Sequence, residues 1–156
     1  MIVSDYIGRT IDVLAFRGGN ASGQVLLNAT LADAESSGEI TTGIQKLAQR
    51  WIITMLTELG SVTYKPEMGT AFMTQLRAGE VHSDADMRAL FTLTELSARE
   101  QLQNEITTTT PLDEQYLSAS LEAVTVSNGN ISITVNLYSK SPENTATFIM
   151  PIPLII

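Results

Sequence analysis

The chain contains no cysteine, a single histidine and only nine basic residues in 156. The absence of cysteine removes thiolate metal sites, cysteine nucleophiles and disulfide frameworks together, and it suits a protein that folds in a reducing compartment. The lone histidine, His82, stands beside Asp84 and Asp86, but an imidazole without a distant partner is weak evidence for a metal. Those aspartates are better explained as negative charge at the start of a helix. No Gly-x-Ser-x-Gly segment occurs, so no serine stands on a nucleophile elbow. Nine bases against 17 acids give a formal charge of −8, and beyond Glu100 the one base is Lys140. Such a chain repels phosphate backbones, and nucleic acid is not an expected partner. Met1, Ile2, Val3, Ser4 and Asp5 lack the basic segment and apolar run of a secretory signal, and no stretch has the length of a membrane span. A soluble protein folded in the cytoplasm is expected.

A domain of this size buries about 68–70% of its unfolded surface, enough for a core that needs no cofactor or staple. The β-prone run Ile11, Val13, Leu14, Phe16 and the alternating run Val25, Leu27, Ala29, Leu31 predict an N-terminal hairpin, joined by Arg17 to Gly23. Gly18 and Gly23 have phosphate-loop spacing, but Gln24 and Val25 follow where a lysine and a hydroxyl are required, so the segment reads as a turn. Ser36 and Glu39 form a capping-box pattern ahead of a first long helix. Its stripe is Ile40, Ile44, Leu47, Ala48, Trp51, Ile52, Met55, Leu56 and Leu59. Gly43 inside it costs about 1 kcal/mol relative to alanine and implies close approach of another backbone. A second helix starts after Ser83, carries Met87, Leu90, Phe91, Ala98, Leu102 and Ile106 inward, and stops in the run Thr107 to Pro111.

Three antiparallel strands follow. Leu117, Ala119, Leu121 and Ala123 alternate with polar residues, as do Ile131, Ile133, Val135 and Leu137, with an Asn128–Gly129 hairpin turn between. The third, Thr145 to Met150, turns Ala146, Phe148 and Met150 to one face. Pro151 and Pro153 remove ladder donors, so 151–156 reads as an extended apolar tail. The chain is thus expected to be a single α+β domain over 1–156, with an N-terminal hairpin arm (1–38), a core of two main helices and a three-stranded meander (39–150), and the tail.

Between the helices, Gly60 sits where a helix end favours positive φ, and Pro66 and Gly69 impose a rigid, turned loop. With Thr57 ahead of it, this Thr, Gly and Pro-x-x-Gly order after the first long helix resembles the sheath-initiator family of contractile phage tails. That family includes the W-type baseplate proteins and the small wedge subunit of type VI secretion. The resemblance covers roughly Ile40 to Met150. One motif departs: where the family ends its second helix with Glu-Pro-Arg, this chain reads Gln103, Asn104, Glu105, Ile106, Thr107. The resemblance implies a structural protein of the virion baseplate, without cofactor, assembled in a bacterial cytoplasm. Its implied partners are the tail sheath protein, larger baseplate wedge proteins, and tail tube or hub proteins.

Glu58, Glu67 and Glu95 are the carboxylates around the loop and second helix that a lysozyme-like hydrolase would use, one protonated in an apolar pocket and one ionised. Glu58 lies off the apolar stripe and Glu67 in a turn, so a scaffold is preferred over a hydrolase or a generic assembly adaptor. The partner surface is expected along the uncharged outer strand and tail: Thr145, Thr147, Phe148, Ile149, Ile152 and Leu154. An open, uncharged sheet edge there suits strand addition from a neighbouring subunit.

Overall fold

The structure, a computed structural model, describes residues 8–13, 16–21, 24–31, 40–127 and 130–153. It is an α+β fold in which three helices cover an antiparallel meander of β5 (Tyr116–Ser127), β6 (Asn130–Ser139) and β7 (Thr145–Pro153). Period-2 alternation turns Ile131, Ile133, Val135 and Leu137 of β6 inward beside Ile152, Met150, Phe148 and Ala146 of β7, pair by pair, and all eight are buried. Burying one such aliphatic side chain contributes about 1.5–3 kcal/mol, so this face anchors the domain.

β5 obeys a different count. Bulges between Tyr116 and Ser118 and between Leu121 and Ala123 shift its parity twice. Tyr116 is therefore fully buried, whereas Leu117, expected inward, is 48% exposed, and Ala123 yields its place to Val124.

Helix α1 (Gly43–Leu56) lays Leu47, Ala48, Trp51, Ile52 and Met55 on the core. Trp51 is its keystone, with its ring 5.5 Å from Phe148 of β7 and 6.0 Å from Phe91 of α3 (Asp84–Asn104). One indole thereby joins both long helices to the sheet. Ser83 caps α3 by accepting the Asp86 N–H at 3.1 Å, as its sequence predicts. A short helix, α2 (Phe72–Arg77), occupies part of what reads as loop and buries Phe72 and Leu76.

The start of α1 corrects the sequence reading. Ser36 and Glu39 lie outside the described residues, and Ile40–Thr41 form strand β4, paired antiparallel with β1 (Asp12–Val13). The helix opens at Gly43, whose φ of +63° is not helical. A Cβ there would lie 2.8 Å from the Asp113 carboxylate and 3.0 Å from the Arg9 guanidinium, so the close neighbours are side chains, not backbone. Thr42 gives no side-chain cap; the buried Glu114, 71 residues away, accepts the Gly43 N–H at 3.2 Å. Glu114 also accepts from Thr10 and Thr42 and faces Lys46. A cap supplied from so far along the chain leaves no local pattern.

The tail is also corrected. β7 runs through Pro151 to Pro153, which pair with Ser132 and Asn130. Both prolines share one parity, so their missing donors belong on the side of β7 turned away from β6. Ile152, between them, is buried against Ile131.

Nor is β7 the outer strand. Phe16–Ala21 (β2) pairs antiparallel with Gln24–Leu31 (β3), and β3 runs parallel to β7, Val25 to Asn28 opposite Ala146 to Ile149. The strand order is β2-β3-β7-β6-β5. Arg17 to Ala21, read as connector, lie in β2, while Leu14 and the connector residues Ser22 and Gly23 lie outside the described residues.

Removing the Glu114 carboxylate strands the Gly43 N–H and Lys46. Glu114→Ala should therefore lower stability by about 1–3 kcal/mol, read as a reduced urea midpoint at unchanged slope, whereas Ala at the exposed Glu122 should change it by less than about 0.5 kcal/mol.

Candidate functional site

Two features on the described surface have the character of a site: the loop after α1 and the outer side of β7. The loop is built almost entirely from main-chain hydrogen bonds. Leu59 N–H donates to Thr70 O at 3.1 Å and Thr70 N–H to Thr57 O at 2.9 Å, pinching its two ends together. Gly60 N–H donates to Pro66 O at 3.1 Å across its middle. Gly60 and Gly69 have φ of +82° and +103°, the region that glycine enters without strain. They differ in surroundings. A Cβ on Gly60 meets open space, whereas one on Gly69 would be driven into the Thr57 carbonyl, 2.9 Å from its carbon. All three of Gly60, Pro66 and Gly69 thus belong to one turn system, as their spacing predicts.

Side chains then clamp the loop to both helices. Gln101 of α3 accepts the Gly69 N–H at 2.9 Å and donates to Gly69 O at 2.8 Å, a two-point mimic of a strand pair. Thr70 Oγ1 donates to Met55 O at 2.8 Å and accepts the Phe72 N–H at 3.2 Å. Glu105, just past α3, pairs with Arg50 of α1 and with Lys65 of the loop, the latter at 2.7 Å. Burial alone would raise the Glu105 carboxyl, but Lys65 and Arg50 outweigh it and hold it below the ordinary range; the Glu105 hydrogen bond and charge raise Lys65 in turn. From this braced frame Tyr64 projects 89% exposed and Leu59 58%. Neither Gln101 nor Glu105 stands out by sequence, because a polar residue on a helix flank or end is the commonest kind of surface residue.

The second feature is β7. Of the six residues predicted for partners, Thr147 and the exposed Ile149 face outward, with Thr145 half-buried at the strand's start. Thr147 also donates to Asn136 Oδ1 of β6 at 2.7 Å. Phe148 and Ile152 are instead core residues, buried and out of a partner's reach; Leu154 lies outside the described residues. Thr147 and Ile149 share the parity of Pro151 and Pro153, so their N–H groups point away from β6, toward β3.

The far flank of the meander, along β5, is met differently. Arg88 of α3 donates to the Leu121 and Glu122 carbonyls at 3.1 and 3.4 Å, and Glu95 accepts the Ala119 N–H at 3.3 Å. Buried Glu95 also accepts from Tyr116 Oη at 2.6 Å and from Arg99 at 3.0 Å. Burial, then the Glu95 bond, pushes the Tyr116 phenol far above its ordinary value, so it remains a donor.

The carboxylates considered for hydrolysis are not brought together: Glu58 pairs with Arg77, and neither it nor Glu67 lines the groove containing Glu95. At α3's start Asp84 pairs with Arg88, while Ser83 and the His82 N–H lower the Asp86 carboxyl. Among the described residues no three potential metal ligands converge, and no helix is long and apolar enough to cross a membrane. No protein family, curated protein or solved structure matches the chain.

The two glycines should separate on substitution. Gly69→Ala should cost about 3 kcal/mol or abolish folding, and Gly60→Ala only about 1 kcal/mol, measured by thermal and urea denaturation. Acid should loosen the clamp. Since the folded state depresses Glu105, its contribution is whole above the unfolded carboxylate value of about 4.3 and disappears as pH falls through the lower folded value. Glu105→Gln should accordingly be less stable than the parent at pH 7, and the two should converge as pH falls below the folded Glu105 value.

Proposed function

We propose that this chain is a structural assembly protein, a wedge subunit of a contractile-tail baseplate that templates the first sheath subunits by strand pairing on β7. The observation that carries the reading is the contrast between the two outer flanks of the β5–β6–β7 meander. The outer side of β5 is met by Arg88 and the buried Glu95 of α3, whereas the side of β7 turned away from β6 is met by main-chain pairing with an N-terminal strand. A flank met by main chain can be met by other main chain in its place, and recognition of this kind needs neither a pocket nor a cofactor. The loop pattern of Gly60, Pro66 and Gly69 supports the same family reading. In that reading, the braced loop with Tyr64 at its tip faces the larger wedge proteins or the tube and hub, and β7 faces sheath. The hydrolase alternative finds no supporting arrangement, since Glu95 is committed to Arg99 and Tyr116.

Ile149→Pro tests the template. It deletes an outward N–H without touching the β6 ladder, so helix content should be retained by circular dichroism. Purified sheath protein should then fail to polymerise on baseplates carrying the variant, scored by sedimentation and electron microscopy. Normal sheath growth from folded Ile149→Pro baseplates would overturn the proposal.

A further inference from the structure

Resting on the reading of β7 as a strand acceptor, we propose that Gln24–Leu31 is a displaceable occupant of that site. The isolated chain is self-occupied there, and a partner supplies an extended, uncharged segment that enters in the same parallel register.

The topology makes this exchange local. The β2–β3 hairpin joins the core sheet through a single ladder of four pairs, Val25 to Asn28 with Ala146 to Ile149. At its base the excursion is closed by β1 and β4, with Asp12 opposite Thr41 and Val13 opposite Ile40. That neck is fixed to the core by its own contacts: Arg9 with Asp113 at 2.7 Å, and Glu114 with Thr10, Thr42 and the Gly43 N–H. Peeling the hairpin parts β3 from β7 and from α1, which β3 also approaches, while the neck and the β6 ladder hold the remaining fold.

β7 does not need β3 to persist. Ala146, Phe148 and Met150 are buried, Phe148 against Trp51, and the full β6 ladder holds the other side. Removing β3 exposes the Thr147 and Ile149 N–H groups, which demand a replacement. The chemistry of that replacement follows from the present occupant. Gln24–Leu31 and Ala146 to Ile149 contain no charged residue, so pairing rests on main chain and uncharged side chains. Pro151 and Pro153 end the usable edge on one side, which confines an incoming strand to the stretch from Thr145 to Met150.

The probe is a fluorescein-labelled synthetic peptide of sequence 24–31, offered in trans to full-length protein. In Leu26→Pro/Leu27→Pro, successive N–H groups on opposite sides of β3 are removed, so a donor toward β7 is lost whichever residue supplies it. Peptide binding to this variant should be at least about tenfold tighter than to the parent, because apparent affinity scales with the fraction of open edge. Since the chain has no cysteine, Leu26→Cys/Thr147→Cys, at paired positions, makes a specific staple. The oxidised staple should bind no peptide and return to the parent's level on reduction. Equal binding by parent and oxidised staple, or none by the folded proline variant, would overturn the proposal. If the proline variant fails to fold, hydrogen exchange on the parent decides. Amides of 24–31, Thr147 and Ile149 should exchange at least about tenfold faster than α1 amides through local opening, and equal protection would refute displacement. No sheath protein enters these assays, so a positive result here with normal sheath growth on Ile149→Pro baseplates would overturn the sheath reading alone.

Discussion

The N–H and C=O groups along the two flanks of the β5–β6–β7 meander need partners, and that requirement is met in three separate ways. Along β5, Arg88 and Glu95 reach from α3 to main-chain groups beside the bulges. Along the last residues of β7, Pro151 and Pro153 leave no donor to satisfy. Only between Ala146 and Ile149 is the need met by another strand. A side-chain seal is tied to the helix that carries it, and a proline is permanent. A strand is the one closure that another strand can replace atom for atom.

The acidic surplus is partly structural. Glu95, Glu105 and Glu114 each join segments far apart in sequence: α3 to β5, the end of α3 to α1 and the loop, and the turn before β5 to the start of α1. Each sits among donors that its charge strengthens, since hydrogen bonds to ionised groups are roughly twice as strong as neutral ones. These ties complement the apolar joint at Trp51, which fixes the distance of both long helices from the sheet but not the course of the connecting chain.

Strict local signals were legible. β6 alternates without interruption, Ser83 caps α3, and Gly60 and Gly69 mark positive φ, so these features could be read from residues alone. What escaped depends on distant partners. Two bulges invert the parity of β5, so Leu117 and Ala123 mislead and Tyr116 is hidden. Gly43 opens α1 because Glu114 takes its N–H, a relation no window of neighbouring residues contains. Pro151 and Pro153 argue against a strand until it is known which side of β7 they face. Of the site, the turn residues are legible, but the Gln101 and Glu105 clamps are not, and Phe148 and Ile152 read as contacts from sequence because inward and outward faces of an apolar strand look alike there.

The Gln101 clamp changes how the loop carries force. Its amide grips both polar groups of Gly69 while the loop's other end continues directly from α1, and Lys65 ties the middle to Glu105 and through it to Arg50. A pull applied at Tyr64 is delivered to the ends of two helices together, in parallel, rather than being absorbed by unravelling one of them. The loop is a stiff lever arm whose displacement at the tip becomes a shared displacement of α1 and α3, with the tilted contact of the Trp51 and Phe91 rings as the fulcrum between them.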